Sequence, residues 1–173
     1  HRSVKGTMGK LNDKVVVITG ATSGIGRCTA ELFVEEGAHV VVSGRRKTEG
    51  KTLATSLGSR ALYVEADVSE DEQVGDLIQT SMNKFGRIDC LFNNAGIPGK
   101  AVSVEDVEKD QINAELAVLV NGVLYGMKHV APIMKQQGGG SIINTGSIAA
   151  QRAGYALSFL YSLPKSEVIH ASK

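Results

Sequence analysis

The stretch Thr19-Gly20-Ala21-Thr22-Ser23-Gly24-Ile25-Gly26 decides the fold. It follows directly on an apolar, β-branched run that begins at Val15, and it opens a segment of helical period. A dinucleotide pyrophosphate needs backbone N–H groups aimed at it from a helix N-terminus, with no side chains in the way. Gly20 permits the tight turn, Gly24 the close approach of a ligand, and Gly26 the packing of helix on strand. Three glycines alone fit a structural turn equally well. Their place in the first strand–helix–strand unit is what favours nucleotide binding.

Outward from this turn, short apolar runs alternate with longer helical segments. Val15–Thr19, Val40–Ser43, Leu62–Glu65, Cys90–Phe92 and Ser141–Asn144 read as strands. The first two are almost wholly apolar, as in strands covered on both faces. Ile25–Glu36, Thr48–Leu57, Glu70–Phe85 and a long stretch from about Val107 to Lys135 read as helices, with Gly37, Gly58 and Gly86 as stops. Strict alternation predicts an α/β, Rossmann-like, doubly wound parallel sheet with helices on both faces. Residues 1–10 read as an N-terminal extension, with Met8 a possible start. Residues 11–173 read as one dinucleotide-binding domain.

Composition narrows the functional classes. The chain has 173 residues, 42% hydrophobic, with a net charge of +1, so no electrostatic pull toward nucleic acid or a membrane surface is expected. No apolar run approaches the roughly 18 residues of a membrane span. Cys28 and Cys90 have neither a C-x-x-C nor a disulfide spacing. Both are expected to be buried filler, in a cytoplasmic, reducing setting. No metal site is read from the sequence.

The turn has the spacing G-x-x-x-G-x-G, and with Thr19 in front it resembles the T-G-x-x-x-G-x-G of the short-chain dehydrogenase/reductase family. Further landmarks follow in order. They are Asp67 in Ala66-Asp67-Val68, the run Asn93-Asn94-Ala95-Gly96, then Ser147, then Tyr161-x-x-x-Lys165. Together they span Thr19–Lys165, nearly the whole chain. The resemblance implies cofactor contacts at Gly20, Ser23, Gly24, Ile25 and Gly26. It implies others at Asp67 and Val68 beside the adenine, at Asn93, Ala95 and Gly96, and at Tyr161 and Lys165. Asp67 could equally cap the next helix, and Asn93 could tie strand ends together.

The end of the second strand bears on cofactor choice. An acid there would hold the ribose 2′-hydroxyl of NAD(H), whereas this chain has Gly44 followed by Arg45 and Arg46. A guanidinium binds a 2′-phosphate by charge-assisted hydrogen bonds, so NADP(H) is favoured over NAD(H), with Arg45 the preferred contact. The bland alternative is that both arginines solvate a turn.

Tyr161 and Lys165 stand four residues apart, on one face of a helix. Carbonyl reduction needs a proton for the developing alkoxide, and a free phenol ionises near pH 10. A neighbouring cation favours the phenolate, which gives a lysine a physical task there. By resemblance, Tyr161 is the acid/base, Lys165 its tuner, and Ser147 the residue that orients the substrate oxygen. Serine at a strand end also commonly caps a turn.

Three departures from the family pattern stand out. Leu119 occupies the place of a catalytic asparagine. Pro164 sits inside the Tyr–Lys spacing. The chain stops before the family's last strands and substrate-enclosing segments, so the fold is expected to lack them. Two functions follow. One is an oxidoreductase moving hydride between NADP(H) and a small-molecule carbonyl or secondary alcohol, a homodimer or homotetramer when full length. The other is a cofactor-binding but catalytically inactive dehydrogenase.

Overall fold

The computed structural model describes residues 9–99, 102–152 and 159–173. Most of the expected extension, residues 1–8, lies outside them, as does Tyr155. Five parallel strands form one sheet in the order β3-β2-β1-β4-β5. The strands are β1 (Val15–Ile18), β2 (His39–Gly44), β3 (Ala61–Glu65), β4 (Cys90–Asn93) and β5 (Ser141–Asn144). Val17 pairs with Val41 on one side and Leu91 on the other, so β1 is the centre of the ladder. Strand order reverses between β1 and β4, the kind of switch point at which open α/β sheets bind ligands.

Side chains along β1 and β2 alternate between two cores, because successive residues of a strand point to opposite faces. Val16, Ile18, Val40 and Val42 pack with Ala30 of α1 (Gly24–Glu35) and Leu53 of α2 (Lys47–Leu57). Val17, Val41 and Leu91 pack on the other face with Leu77 and Ile78 of α3 (Asp71–Phe85) and Val130 and Met134 of α5 (Gly122–Gln137). Both faces of the central strands are therefore dry, as their apolar composition predicts. At the β5 edge the pattern differs, and Ile143 is exposed.

Glycine ends the helices where the sequence predicts. Gly37, Gly58 and Gly86 all have positive φ, a conformation that costs glycine little. The long central helix is less regular than its sequence suggests. It divides into α4 (Lys109–Leu116), a π-helical segment at Ala117–Asn121, and α5. Taken together, Lys109–Gln137 is long and apolar enough by composition to cross a membrane, which the expectation of no such run missed. Here it lies along α3, where Lys128 and His129 both pair with Asp71, at 2.5 and 2.7 Å. Cys28 is a second correction. It faces solvent on α1 rather than filling the core, because the helix's buried stripe passes through Gly26 and Ala30. Burial, followed by the charge of Asp89, pushes the Cys90 thiol up to about 11, so it is inert filler as expected.

The packing of α5 on the sheet depends on Gly126, whose missing Cβ leaves room for the buried Asn93 carbonyl. Gly126→Ala should therefore destabilise the fold by about 1–3 kcal/mol. The urea midpoint should fall with an unchanged slope. A variant as stable as the parent would show that Asn93 can move aside.

Candidate functional site: a cleft at the carboxyl ends of the strands

The ends of β1 and β4 are drawn together by crossed hydrogen bonds. Thr19 Oγ1 accepts from the Asn94 and Ala95 N–H groups, each at 3.1 Å. The Asn94 side-chain amide donates back to the carbonyls of Thr19 and Gly20, at 3.1 and 3.2 Å. The approach is so close that a Cβ on Gly20 would lie 2.6 Å from the Ala95 Cα, and one on Gly26 would lie 2.6 Å from the Asn94 amide nitrogen. Gly20 and Gly26 are thus required by packing. Gly24 differs: its φ is +52° and nothing lies within 4 Å of a Cβ there. It faces open space at the head of α1.

Beside this turn lies a cleft of about 460 Å³. Gly20, Ser23 and Ile25 form one wall, Gly44, Arg45 and Arg46 the far end, and Ala66, Asp67 and Val68 the flank. Asn94, Ala95 and Gly96 complete it. Of the cofactor contacts expected from the sequence, the structure gathers Gly20, Ser23, Ile25, Arg45, Asp67, Val68, Ala95 and Gly96 around this one space. Gly24 is exposed beside the turn and is not among the residues that line it. Gly26 and Asn93 lie behind it as supports. Asn93 is 3% exposed and donates to the Asn144 side-chain carbonyl at 2.9 Å, which joins β4 to β5. Its own Oδ1 is buried without a partner among the described residues. Sequence reasoning missed Asn94 and Thr22. The T-G-x-x-x-G-x-G turn and the doubled asparagine are visible in the sequence, but the bonds between them need the parallel pairing of β1 with β4 to be known.

The far end of the cleft is cationic. Arg45 Nη1 lies 3.4 Å from Asp67 Oδ2, and Arg46 Nε donates to Thr22 Oγ1 at 3.2 Å. The two arginines part in opposite directions. Burial works against the Asp67 carboxylate. Hydrogen bonds from the Ser69 N–H and hydroxyl, with the Arg45 guanidinium, outweigh it and hold the group below its ordinary value. Asp67 is therefore already engaged, and the Ser69 bonds at 3.0 and 2.7 Å form a local Asx turn ahead of α3.

Tyr161 and Lys165 share one face of α6 (Phe159–Ala171), which continues through Pro164. The Lys165 Nζ stands 5.8 Å from the Tyr161 ring centroid. It is only 4% exposed and donates to the Thr145 carbonyl at 2.6 Å, tying α6 to the end of β5. Burial pushes the Lys165 ammonium below its ordinary value. Ser147 accepts from the Ala149 N–H at 3.2 Å and caps the short turn Ile148–Ala150, the structural role open to it from the sequence. Among the described residues no hydrogen bond joins Ser147 to Tyr161. Leu119 is buried, close to the place where a Gly96 side chain would stand. One turn before it, Glu115 is buried, its Oε2 without a partner among the described residues, a polar feature not evident from the sequence.

A family model described as short chain dehydrogenase matches residues 14–173. Tropinone reductase-like 2 of Erythroxylum coca is 42% identical over 99% of this chain and 63% of its own length. Momilactone A synthase of Oryza sativa subsp. japonica is 39% identical over 92% of this chain and 59% of its own. A crystal structure of 3-ketoacyl-(acyl-carrier-protein) reductase from Brucella melitensis complexed with NADH superposes with a TM-score of 0.88 at 34% identity. That match covers 93% of this chain and 68% of the solved one. The chain spans less than two-thirds of the length of these curated relatives.

Because its carboxylate is stabilised in the fold, Asp67 contributes stability that is complete above its unfolded value near pH 4 and is lost as pH falls through its lowered folded value. Asp67→Asn should therefore be less stable than the parent at neutral pH, by about 1 kcal/mol. The gap should close toward pH 2 in denaturation curves measured across that range. A constant gap would remove the ionised carboxylate from the account.

Proposed function

From the premise that this chain belongs to the short-chain dehydrogenase/reductase family, we propose that it is the nucleotide-binding and proton-transfer portion of an oxidoreductase that uses NADP(H). The substrate class is a small-molecule carbonyl or the matching secondary alcohol. The observation that carries this reading is the cleft itself: a glycine-walled space at the head of α1 whose far end holds Arg45 and Arg46, with Gly44 where an acid would favour NAD(H). The residues fit the cofactor. The absent side chain at Gly24 leaves room for a pyrophosphate at a helix N-terminus, and the guanidinium groups suit a 2′-phosphate.

The bound nicotinamide would supply or accept the hydride. The chain's own task is to hold the nucleotide and manage the proton. In the reducing direction, the Tyr161 hydroxyl donates its proton to the carbonyl oxygen as charge develops there. The Lys165 ammonium, close beside the ring, stabilises the phenolate left behind. Its anchorage to the Thr145 carbonyl fixes the position from which it acts. Ser147, just beyond the same strand, orients the substrate oxygen by donating its hydroxyl proton, which the bond accepted from the Ala149 amide leaves free. The resemblance favours a homodimer or homotetramer, and the spacing of Cys28 and Cys90 suits a cytoplasmic, reducing setting.

A second reading is a nucleotide-binding chain without turnover. Leu119 favours it: it presents no polar atom at a position expected to carry an amide.

Titration of the chain with NADPH and NADH, followed by nucleotide fluorescence, separates these ideas. NADPH should bind more tightly, and Arg45→Ala should weaken it by roughly tenfold with little change for NADH. Carbonyl reduction that Tyr161→Phe abolishes while NADPH binding persists marks the oxidoreductase. Binding with no reduction of any carbonyl marks the second reading, and equal binding of both nucleotides would defeat the NADP(H) assignment.

A further inference from the structure

The bond between Thr22 and Arg46 carries an inference about how cofactor preference is set. Thr22 belongs to the glycine-rich turn after β1, and Arg46 to the connection after β2. The Arg46 Nε donates to Thr22 Oγ1 at 3.2 Å. Thr22 is buried, so its hydroxyl has a fixed place, and using Nε for this bond leaves both terminal nitrogens of Arg46 directed elsewhere. Arg45 is differently engaged, at Asp67 on the flank. Thr22 also leans over the end of β2. A Cβ on Gly44 would lie 3.1 Å from Thr22 Cγ2 and 3.3 Å from its Oγ1, tighter than ordinary contact. Gly44 cannot easily retreat, because its carbonyl accepts from the Tyr63 hydroxyl at 2.7 Å and its backbone is paired with Glu65.

We infer that Thr22 is a specificity-determining residue with two effects: its hydroxyl positions Arg46 for a 2′-phosphate, and its bulk opposes an acidic side chain at position 44. The inference rests on the nicotinamide-nucleotide reading of the cleft, and it moves the main phosphate contact from Arg45 to Arg46. The two effects are linked. An acid at position 44 presses on Thr22, which must give by a few tenths of an ångström, and a shift there disturbs the bond that orients Arg46. A change of preference toward NAD(H) is therefore expected to be fullest when position 22 changes together with position 44.

The test is fluorescence titration of the full chain with NADPH and with NADH. Thr22→Val keeps the shape and removes the hydroxyl. It should lower the NADPH-to-NADH affinity ratio by about fivefold or more, with the loss falling on NADPH, while Thr22→Ser keeps the parent's ratio. Arg46→Ala should lower the ratio further than Arg45→Ala. Gly44→Asp should weaken NADPH without gaining NADH, and Thr22→Ala with Gly44→Asp should gain NADH. Retained NADH binding shows that each variant is folded. An unchanged ratio in Thr22→Val, or an equal loss for both nucleotides, overturns the role of Thr22 and leaves the NADP(H) reading standing. A parent chain without preference for NADPH overturns that reading, and this inference with it.

Discussion

The crossed hydrogen bonds between Thr19 and Asn94 are the constraint on which the rest of the site depends. They join two loops that are 75 residues apart in sequence, each leaving the carboxyl end of its own strand. A parallel sheet splays its chains apart at this edge, because one chain turns to a helix on one face and the other to a helix on the opposite face. Without a tie, the space between would be filled with solvent and mobile loop. With it, the backbone of Gly20 lies against Ala95, and the turn that opens α1 is held in one conformation. The head of that helix stands beside the cleft through Ser23 and Ile25, and a helix N-terminus carries partial positive charge that suits an anion.

Much of this was legible in the sequence, for reasons that differ from residue to residue. Val15–Ile18 and Val40–Val42 announce central strands because nothing polar interrupts them. Gly37, Gly58 and Gly86 announce helix ends because a left-handed residue is needed there. The nucleotide turn was legible because its glycines stand where a strand gives way to a helix. What stayed hidden depends on relations between segments. The π-helical segment at Ala117–Asn121 leaves no mark in the apolar period that runs through it. The exposure of Cys28 depends on which stripe of α1 meets the sheet. The placing of Arg45 at Asp67 and Arg46 at Thr22 depends on how β1, β2 and β3 lie side by side, and no spacing along the chain encodes that.

The end of the sheet that carries Tyr161 and Lys165 is built more sparely than the glycine-rich cleft. Lys165 is buried, bonded to a backbone carbonyl and set beside an aromatic ring, so its charge is strongly directed but poorly solvated. On the central helix that packs against α6, Leu119 is apolar, whereas Glu115, one turn away, is an acid whose Oε2 is buried with no partner among the described residues. A buried polar atom without a partner is costly, of the order of 1–3 kcal/mol, and such atoms are retained where something other than stability is served. The two halves are joined through Asn93, which sits under the cleft on β4 and reaches Asn144 on β5, the strand that leads to Thr145 and Ser147.

Gln137, the last residue of α5, bonds to both backbone groups of Ile88, receiving from its N–H at 2.9 Å and donating to its carbonyl at 2.9 Å. A side-chain amide used in this way imitates a neighbouring strand and supplies a rung to the sheet where no strand exists. The end of a helix and the entry to β4 thereby open together or not at all. Slow exchange at the Ile88 amide would then report the integrity of α5 as faithfully as that of the sheet, and layers that look separate behave as one cooperative unit.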